Sequence, residues 1–274
     1  MTNLVTATEL ADLIAAEAVR VLDVRWQLGR TDGRREYLTG HIPGAVFVDV
    51  EKDLSRSGDP AEGRHPLPST EQVQEAARRW GLDDGDAVVV YDDASGISAA
   101  RAWWLLSHGG VDVRVLDGGW AAWKAAGGDA ESGSAEYTPG MITLTDVSGD
   151  SLTIDEAAAF PEHGVLLDVR AAERFRGEVE PMDPIAGHIP GAVNLPTTVH
   201  IGEDGTLRGA DELRANFAAV GVNGDTPVAT YCGSGLTAAH TALVLAEAGI
   251  DAKIFHGSWS AWSNTPGRPI ATGA

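Results

Sequence analysis

The stretch Thr226-Pro-Val-Ala-Thr-Tyr231-Cys232-Gly-Ser-Gly235-Leu-Thr237-Ala-Ala-His240 carries an apolar, β-prone run into a Gly-rich loop and then into a helix. A strand feeding a helix through a short glycine turn is the building unit of an α/β layer fold, whose ligand sites gather at the carboxyl ends of the strands. The stretch has a partner upstream, Val88-Val-Val-Tyr91 followed by Asp92-Asp-Ala-Ser-Gly-Ile-Ser-Ala-Ala100. Both strand runs are continuous rather than alternating, as in parallel sheets covered on both faces. Helices are expected directly after them, over 99–108 and 238–248.

Working outward, the same order of signals occurs twice along the chain. Val21-Leu-Asp-Val-Arg25 answers to Leu166-Leu-Asp-Val-Arg170, and Gly40-His-Ile-Pro-Gly-Ala-Val46 to Gly187-His-Ile-Pro-Gly-Ala-Val193. Val115-Leu-Asp-Gly-Gly-Trp120-Ala-Ala-Trp123 answers to Ile254-Phe-His-Gly-Ser-Trp259-Ser-Ala-Trp262. The offset falls from 147 between His41 and His188 to 139 between Trp120 and Trp259, so small insertions separate two copies of one domain. The paired tryptophans have helical i, i+3 spacing and read as core. The polar, turn-rich stretch from Gly127 reads as a linker. The expected organisation is a domain over 1–126, a linker over 127–150 and a domain over 151–274, each a mainly parallel sheet flanked by helices.

Composition narrows the class. A chain of 274 residues, 43% hydrophobic, supports one large or two ordinary cores. No apolar run is long enough to span a membrane, and the N-terminal residues lack a basic segment followed by an apolar one. A single cysteine allows no internal disulfide, which fits a reducing, cytoplasmic compartment. A net charge of −20 argues against nucleic acid and anionic membranes as partners. An anionic substrate therefore has to be gathered by local positive charge.

Cys232 stands where that gathering would matter. A thiol at a helix N-terminus faces unpaired backbone N–H groups and the positive end of the macrodipole, which favour its thiolate or an anion attached to it. Gly233 and Gly235 let the loop curl so that its N–H groups point inward. A buried structural cysteine is the alternative reading, but it calls for no Gly-Ser-Gly turn after it. The first copy has Asp92 at the corresponding place, and a carboxylate is no substitute for a soft nucleophile. The carboxy-terminal copy reads as catalytic and the amino-terminal one as scaffold. A cysteine phosphatase would need a phosphate-gripping arginine six residues after the cysteine, and that position is Ala238. The eight histidines form no ligand-spaced cluster, so no metal is expected.

The doubled Asp-Val-Arg, Gly-His-Ile-Pro-Gly-Ala and Gly-x-Trp signals, with one cysteine on the second loop, resemble tandem-domain rhodanese-type sulfurtransferases over nearly the whole chain. Cys232-Gly-Ser-Gly-Leu-Thr-Ala238 is similar to the loop of the 3-mercaptopyruvate branch. The resemblance implies two rhodanese-like domains and a Cys232 persulfide that accepts sulfur from a small anionic donor, 3-mercaptopyruvate or thiosulfate. A thiol, cyanide or a thioredoxin-like protein would then accept it, with no cofactor beyond the covalent intermediate. A thiosulfate-preferring enzyme and a non-catalytic persulfide carrier are the alternatives. The N–H groups of Gly233, Ser234, Gly235, Leu236 and Thr237 are the expected anion donors.

Arg174, in Glu-Arg-Phe-Arg-Gly, matches the family's substrate-binding arginine, since a guanidinium fork suits a carboxylate or sulfonate. Arg170 and Arg176 are further candidates for the same duty, with pairing to Asp168 an equal alternative for Arg170. Mercaptopyruvate-specific relatives carry a second arginine after a Glu-Pro; here Glu180-Pro181 is followed by Met182, and Arg176 is the candidate replacement. Thiosulfate-specialised relatives are basic directly after the cysteine, where Gly233 and Ser234 stand. Asp32, His41 and Ser234 resemble a relay of the mercaptopyruvate branch, although the twin of His41, His188, reads as structural. Trp26 matches an aromatic that packs over the sulfur in relatives.

Overall fold

The computed structural model describes residues 2–30 and 32–274. They fall into two compact units: Met1–Ser55, Pro68–Gly149 and Ile201–Leu207 in the first, and Arg56–Leu67, Asp150–His200 and Arg208–Ala274 in the second. Two points differ from the boundaries read off the sequence. The stretch expected to be a linker lies along the first unit, where the N–H groups of Gly140, Ile142 and Thr145 donate to the carbonyls of Arg78, Leu82 and Gly109. Its turn residues conceal Ile142, Leu144 and Val147, all of which are buried. Each copy also lends a short segment to the other unit, residues 56–67 in one direction and 201–207 in the other.

The first sheet comprises β1 (Leu4–Val5), β2 (Arg20–Asp23), β3 (Val46–Phe47), β4 (Ala87–Tyr91) and β5 (Asp112–Leu116), in the order β1-β5-β4-β2-β3. The second comprises β6 (Val165–Asp168), β7 (Val193–Asn194), β8 (Val228–Tyr231) and β9 (Lys253–Ile254), in the order β7-β6-β8-β9. Every pairing is parallel. A parallel bridge from Ser151 to Ile254 stands where β1 stands in the first sheet, so the sequence repeat is a repeat of sheet order. The central strands β4 and β8 are buried along nearly their whole length, which is why neither alternates.

Helix starts repeat as well. Thr6 with Glu9, and Thr153 with Glu156, form reciprocal capping boxes on the first helix of each copy. The helix after β4 spans Ala99–His108 as expected, whereas the one after β8 spans Leu236–Glu247, beginning two residues early because Gly235 in the left-handed region serves as its N-cap. Trp123, Trp259 and Trp262 are buried in their units' cores, and Trp120 packs partly buried against the first.

The repeated motifs are locks at the carboxyl ends of the strands. Arg25 is held by Asp23 and donates to the Gly40 carbonyl at 2.7 Å, and Arg170 is held by Asp168 and donates to the Gly187 carbonyl at 2.7 Å. His41 Nδ1 meets the Tyr37 carbonyl at 2.8 Å with the two rings stacked, and His188 Nδ1 meets the Phe175 carbonyl at 2.8 Å with those rings stacked. Among the described residues, no helix is long and apolar enough to cross a membrane.

Candidate active site

The end of β8 delivers Cys232, 2% exposed, into the turn before helix Leu236–Glu247. The Gly235 N–H donates to Cys232 Sγ at 3.1 Å. Gly235 has φ +87°, and a Cβ there would lie 2.4 Å from the His256 carbonyl oxygen, so only glycine fits this turn. The Cys232 N–H donates to Ser258 Oγ at 3.1 Å, and that hydroxyl lies 4.0 Å from Sγ. Ser258 is itself at φ +55°, an uncommon conformation for a residue with a Cβ, and its twin in the first copy is Gly119 at +54°.

The twin turn shows what this architecture holds. Asp92 is fully buried, and its carboxylate accepts the N–H groups of Ala94, Gly96, Ser98 and Ala99 at 2.7–2.9 Å. Burial raises its pKa even though those four donors work in the opposite direction. In the first copy the loop closes around an anion of its own, and in the second the cysteine occupies that position.

Two guanidiniums stand over the cysteine loop. Arg174 donates to Glu180 through Nε at 3.2 Å and Nη2 at 2.6 Å, and Arg64 is ion-paired through Nη1 with Asp183. A Cβ on Gly233 would lie 3.1 Å from Arg64 Nη2 and 3.4 Å from Arg174 Nη1. Burial pushes the Glu180 carboxyl up, but Arg174 and the N–H groups of Met182 and Asp183 outweigh it and leave its pKa lowered. Arg170 does not reach the loop as a free group. Asp168, Glu180 and the Gly187 carbonyl take its donors, as Asp23 and Gly40 hold its twin Arg25. Burial opposes its charge and Asp168 overrides that, so its pKa is raised. Arg176 is half-buried and paired with Glu178.

Ser234, buried beside the cysteine, has its hydroxyl 2.7 Å from Nδ1 of His65. His41 is not that imidazole. Its ring is buried against Tyr37 in the first unit, in the same surroundings as His188 in the second. Asp32 lies in a surface cluster with Arg30 and Arg35, which lower its pKa. Trp26 donates its indole N–H to Glu51 and accepts from Ser98 Oγ through its carbonyl, contacts that belong to the first unit. The sequence therefore missed Arg64, His65, Asp183 and Ser258. Arg64 and His65 arrive on the lent segment 56–67, whose turn-rich composition gave no helical or strand period. The one usable signal for Ser258 was a serine where the repeat has glycine.

Two parallel α/β copies with one cysteine cradled at the end of the second copy's central strand define the class, a doubled rhodanese-like architecture. The rhodanese-like domain matches residues 6–126 and 153–265, and the chain belongs to that family as a tandem-domain sulfurtransferase. A Mycobacterium tuberculosis protein named as a thiosulfate sulfurtransferase, SseB, is 46% identical over 98% of this chain and 97% of its own. The Escherichia coli 3-mercaptopyruvate sulfurtransferase is 36% identical over 97% of this chain and 96% of its own. Among solved structures, the 3-mercaptopyruvate sulfurtransferase from Leishmania major matches at TM-score 0.87 and 31% identity, covering 98% of this chain and 76% of that one.

Proposed function

We propose that the enzyme takes sulfur from 3-mercaptopyruvate, or from thiosulfate, onto Cys232 as a persulfide and passes it to a thiol, cyanide or a thioredoxin-like protein in the cytoplasm. The observation that carries this reading is the Gly235 N–H on Cys232 Sγ, in a turn whose twin holds the Asp92 carboxylate on four N–H groups. A turn of that kind stabilises the charge of a persulfide.

With mercaptopyruvate, the thiolate attacks the donor sulfur, the C–S bond breaks and its electron pair stays on carbon three as an enolate. The proton that the donor thiol gives up ends on that carbon, yielding pyruvate and Cys232–S–S⁻. Ser234, hydrogen-bonded to His65, carries that proton in this reading. With thiosulfate the S–S bond breaks, sulfite leaves with the pair, and no proton is needed. The acceptor, as thiolate or cyanide, then attacks the outer sulfur and regenerates the Cys232 thiolate. Neither route calls for a metal or an organic cofactor. Mass analysis after incubation with each donor tests the reading: one added sulfur on Cys232, about 32 Da, is expected and is lost on adding cyanide with thiocyanate formed. Absence of the adduct with both donors overturns it.

A further inference from the structure

We propose that the cleft at the amino ends of β2 and β4 binds an amino acid with an apolar side chain, its carboxylate on Arg20 and its ammonium group toward Glu17 and Asp86. The cleft measures about 680 Å³, a size that small-molecule sites commonly have. It lies wholly in the first unit, at the end of the sheet opposite the Asp92 loop. Ile14, Val19, Val21 and Pro43 give it apolar surface. Tyr137 forms a further wall, its ring fixed by a hydrogen bond from its hydroxyl to the Gly44 carbonyl at 2.9 Å.

Glu17 stands in this cleft against two ordinary preferences. It follows helix Ala7–Ala15 with φ +53°, and its N–H and that of Ala18 close onto the Ile14 and Leu13 carbonyls, each at 3.0 Å. Glycine suits such a turn without steric cost, and a carboxylate there meets the negative end of the helix dipole. Among the described residues, no ion pair or side-chain hydrogen bond of Glu17 offsets either cost. Of the three described non-glycine residues at positive φ, Ser258 holds the cysteine and Glu17 lines this cleft. A ligand ammonium group answers both the carboxylate and the dipole. Asp86 adds a second carboxylate, with Oδ2 on the Asp83 N–H at 2.9 Å.

Arg20 supplies the opposite charge. Its guanidinium carbon lies 3.7 Å from the centre of the Tyr137 ring, which holds the group in place. Nη2 donates to the Gly81 carbonyl at 3.3 Å, and Nε is buried without an acceptor. No carboxylate pairs with Arg20 among the described residues, and Nη1 takes no acceptor there. One cation against two carboxylates disfavours a simple anion and suits a zwitterion, while the apolar surface takes the side chain.

Calorimetric titration of the full-length protein with L-leucine and L-phenylalanine tests the assignment, beside the amide of each, which lacks the carboxylate, and the desamino acid of each, which lacks the ammonium group. At least one of the two amino acids is expected to bind with a Kd of about 1 mM or below, and its amide and desamino acid about tenfold more weakly. Arg20→Gln should bring the amino acid down to the affinity of its amide, and Glu17→Gly should weaken it about fivefold or more. Glu17→Gly also relieves the left-handed backbone, so its Tm should rise by about 2 °C while its affinity falls. A purely structural Glu17 would move stability and leave affinity alone. No saturable heat from either amino acid up to about 20 mM overturns the proposal. An amide that binds as tightly as its parent amino acid, or unchanged affinity in the two folded variants, also overturns it.

Discussion

Asp92 Oδ2 accepts the backbone N–H of Ser98 at 2.7 Å, and three further N–H groups of the same loop complete the shell. The copy without the cysteine thus shows how its loop is held together. Asp92→Ala leaves four buried donors without a partner and is expected to cost about 2–4 kcal/mol, a figure kept modest because burying the carboxylate already opposes its charge. Urea denaturation of the variant checks this, and a loss below about 0.5 kcal/mol would show that water serves the loop equally well.

On the proposed mechanism, His65 and Ser234, 2.7 Å apart, should separate the two donors. Only mercaptopyruvate cleavage leaves a carbon that must gain a proton, so His65→Gln and Ser234→Ala are expected to lower kcat with mercaptopyruvate about 100-fold. With thiosulfate the same variants should stay within about threefold of the parent, and the double variant should be little worse than either single one. Equal losses with both donors would assign the pair to holding the loop rather than to moving a proton.

The sequence disclosed the two mainly parallel α/β copies, the strand-loop-helix turn and Asp92 standing where the second copy has its cysteine, because each rests on a local pattern written twice. The lent segments were illegible for the opposite reason. Residues 56–67 contain Gly58, Pro60, Gly63, Pro66 and no apolar period, and their destination is set by packing against residues about 170 positions away, as His65 meets Ser234. His41 drew attention because, with Asp32 and Ser234, it resembles a relay of the mercaptopyruvate branch, yet the motif's repetition at His188 already pointed to a lock. Arg170 follows the same logic: what occurs in both copies serves the fold, and what occurs in one serves the site. Arg64, His65 and Ser258 all pass that test.

Ser258 tolerates a left-handed backbone that Gly119 adopts freely, and in exchange its hydroxyl accepts the Cys232 N–H and donates to the Phe255 carbonyl at 2.9 Å. Ser258→Gly removes strain of about 1 kcal/mol while deleting those bonds, so thermal stability should change little. Activity is expected to fall severalfold, since the cysteine loses its backbone anchor. Ser258→Ala keeps the strain and loses the bonds, and should be destabilised by about 1–2 kcal/mol. Calorimetry of the two variants side by side distinguishes the contributions; equal stability would mean the left-handed conformation costs nothing here.

His200 gives the second unit a built-in sensitivity to acid. The side chain is buried against Phe217, and burial, followed by the nearby Arg208 charge, pushes its pKa down to about 4. In the unfolded chain the imidazole titrates near its ordinary value of 6.5. Below that value the unfolded state binds a proton the folded state refuses. The stability this residue contributes is therefore complete above about pH 6.5 and lost as pH falls toward 4. Between pH 7 and pH 4.5 the loss comes to about 2–3 kcal/mol. His200→Leu removes the titrating group, so unfolding free energies from urea titrations at the two pH values should differ less in the variant than in the parent by that amount. Parallel pH dependence in both proteins would place the acid sensitivity on other groups, with the buried carboxylates the next to test.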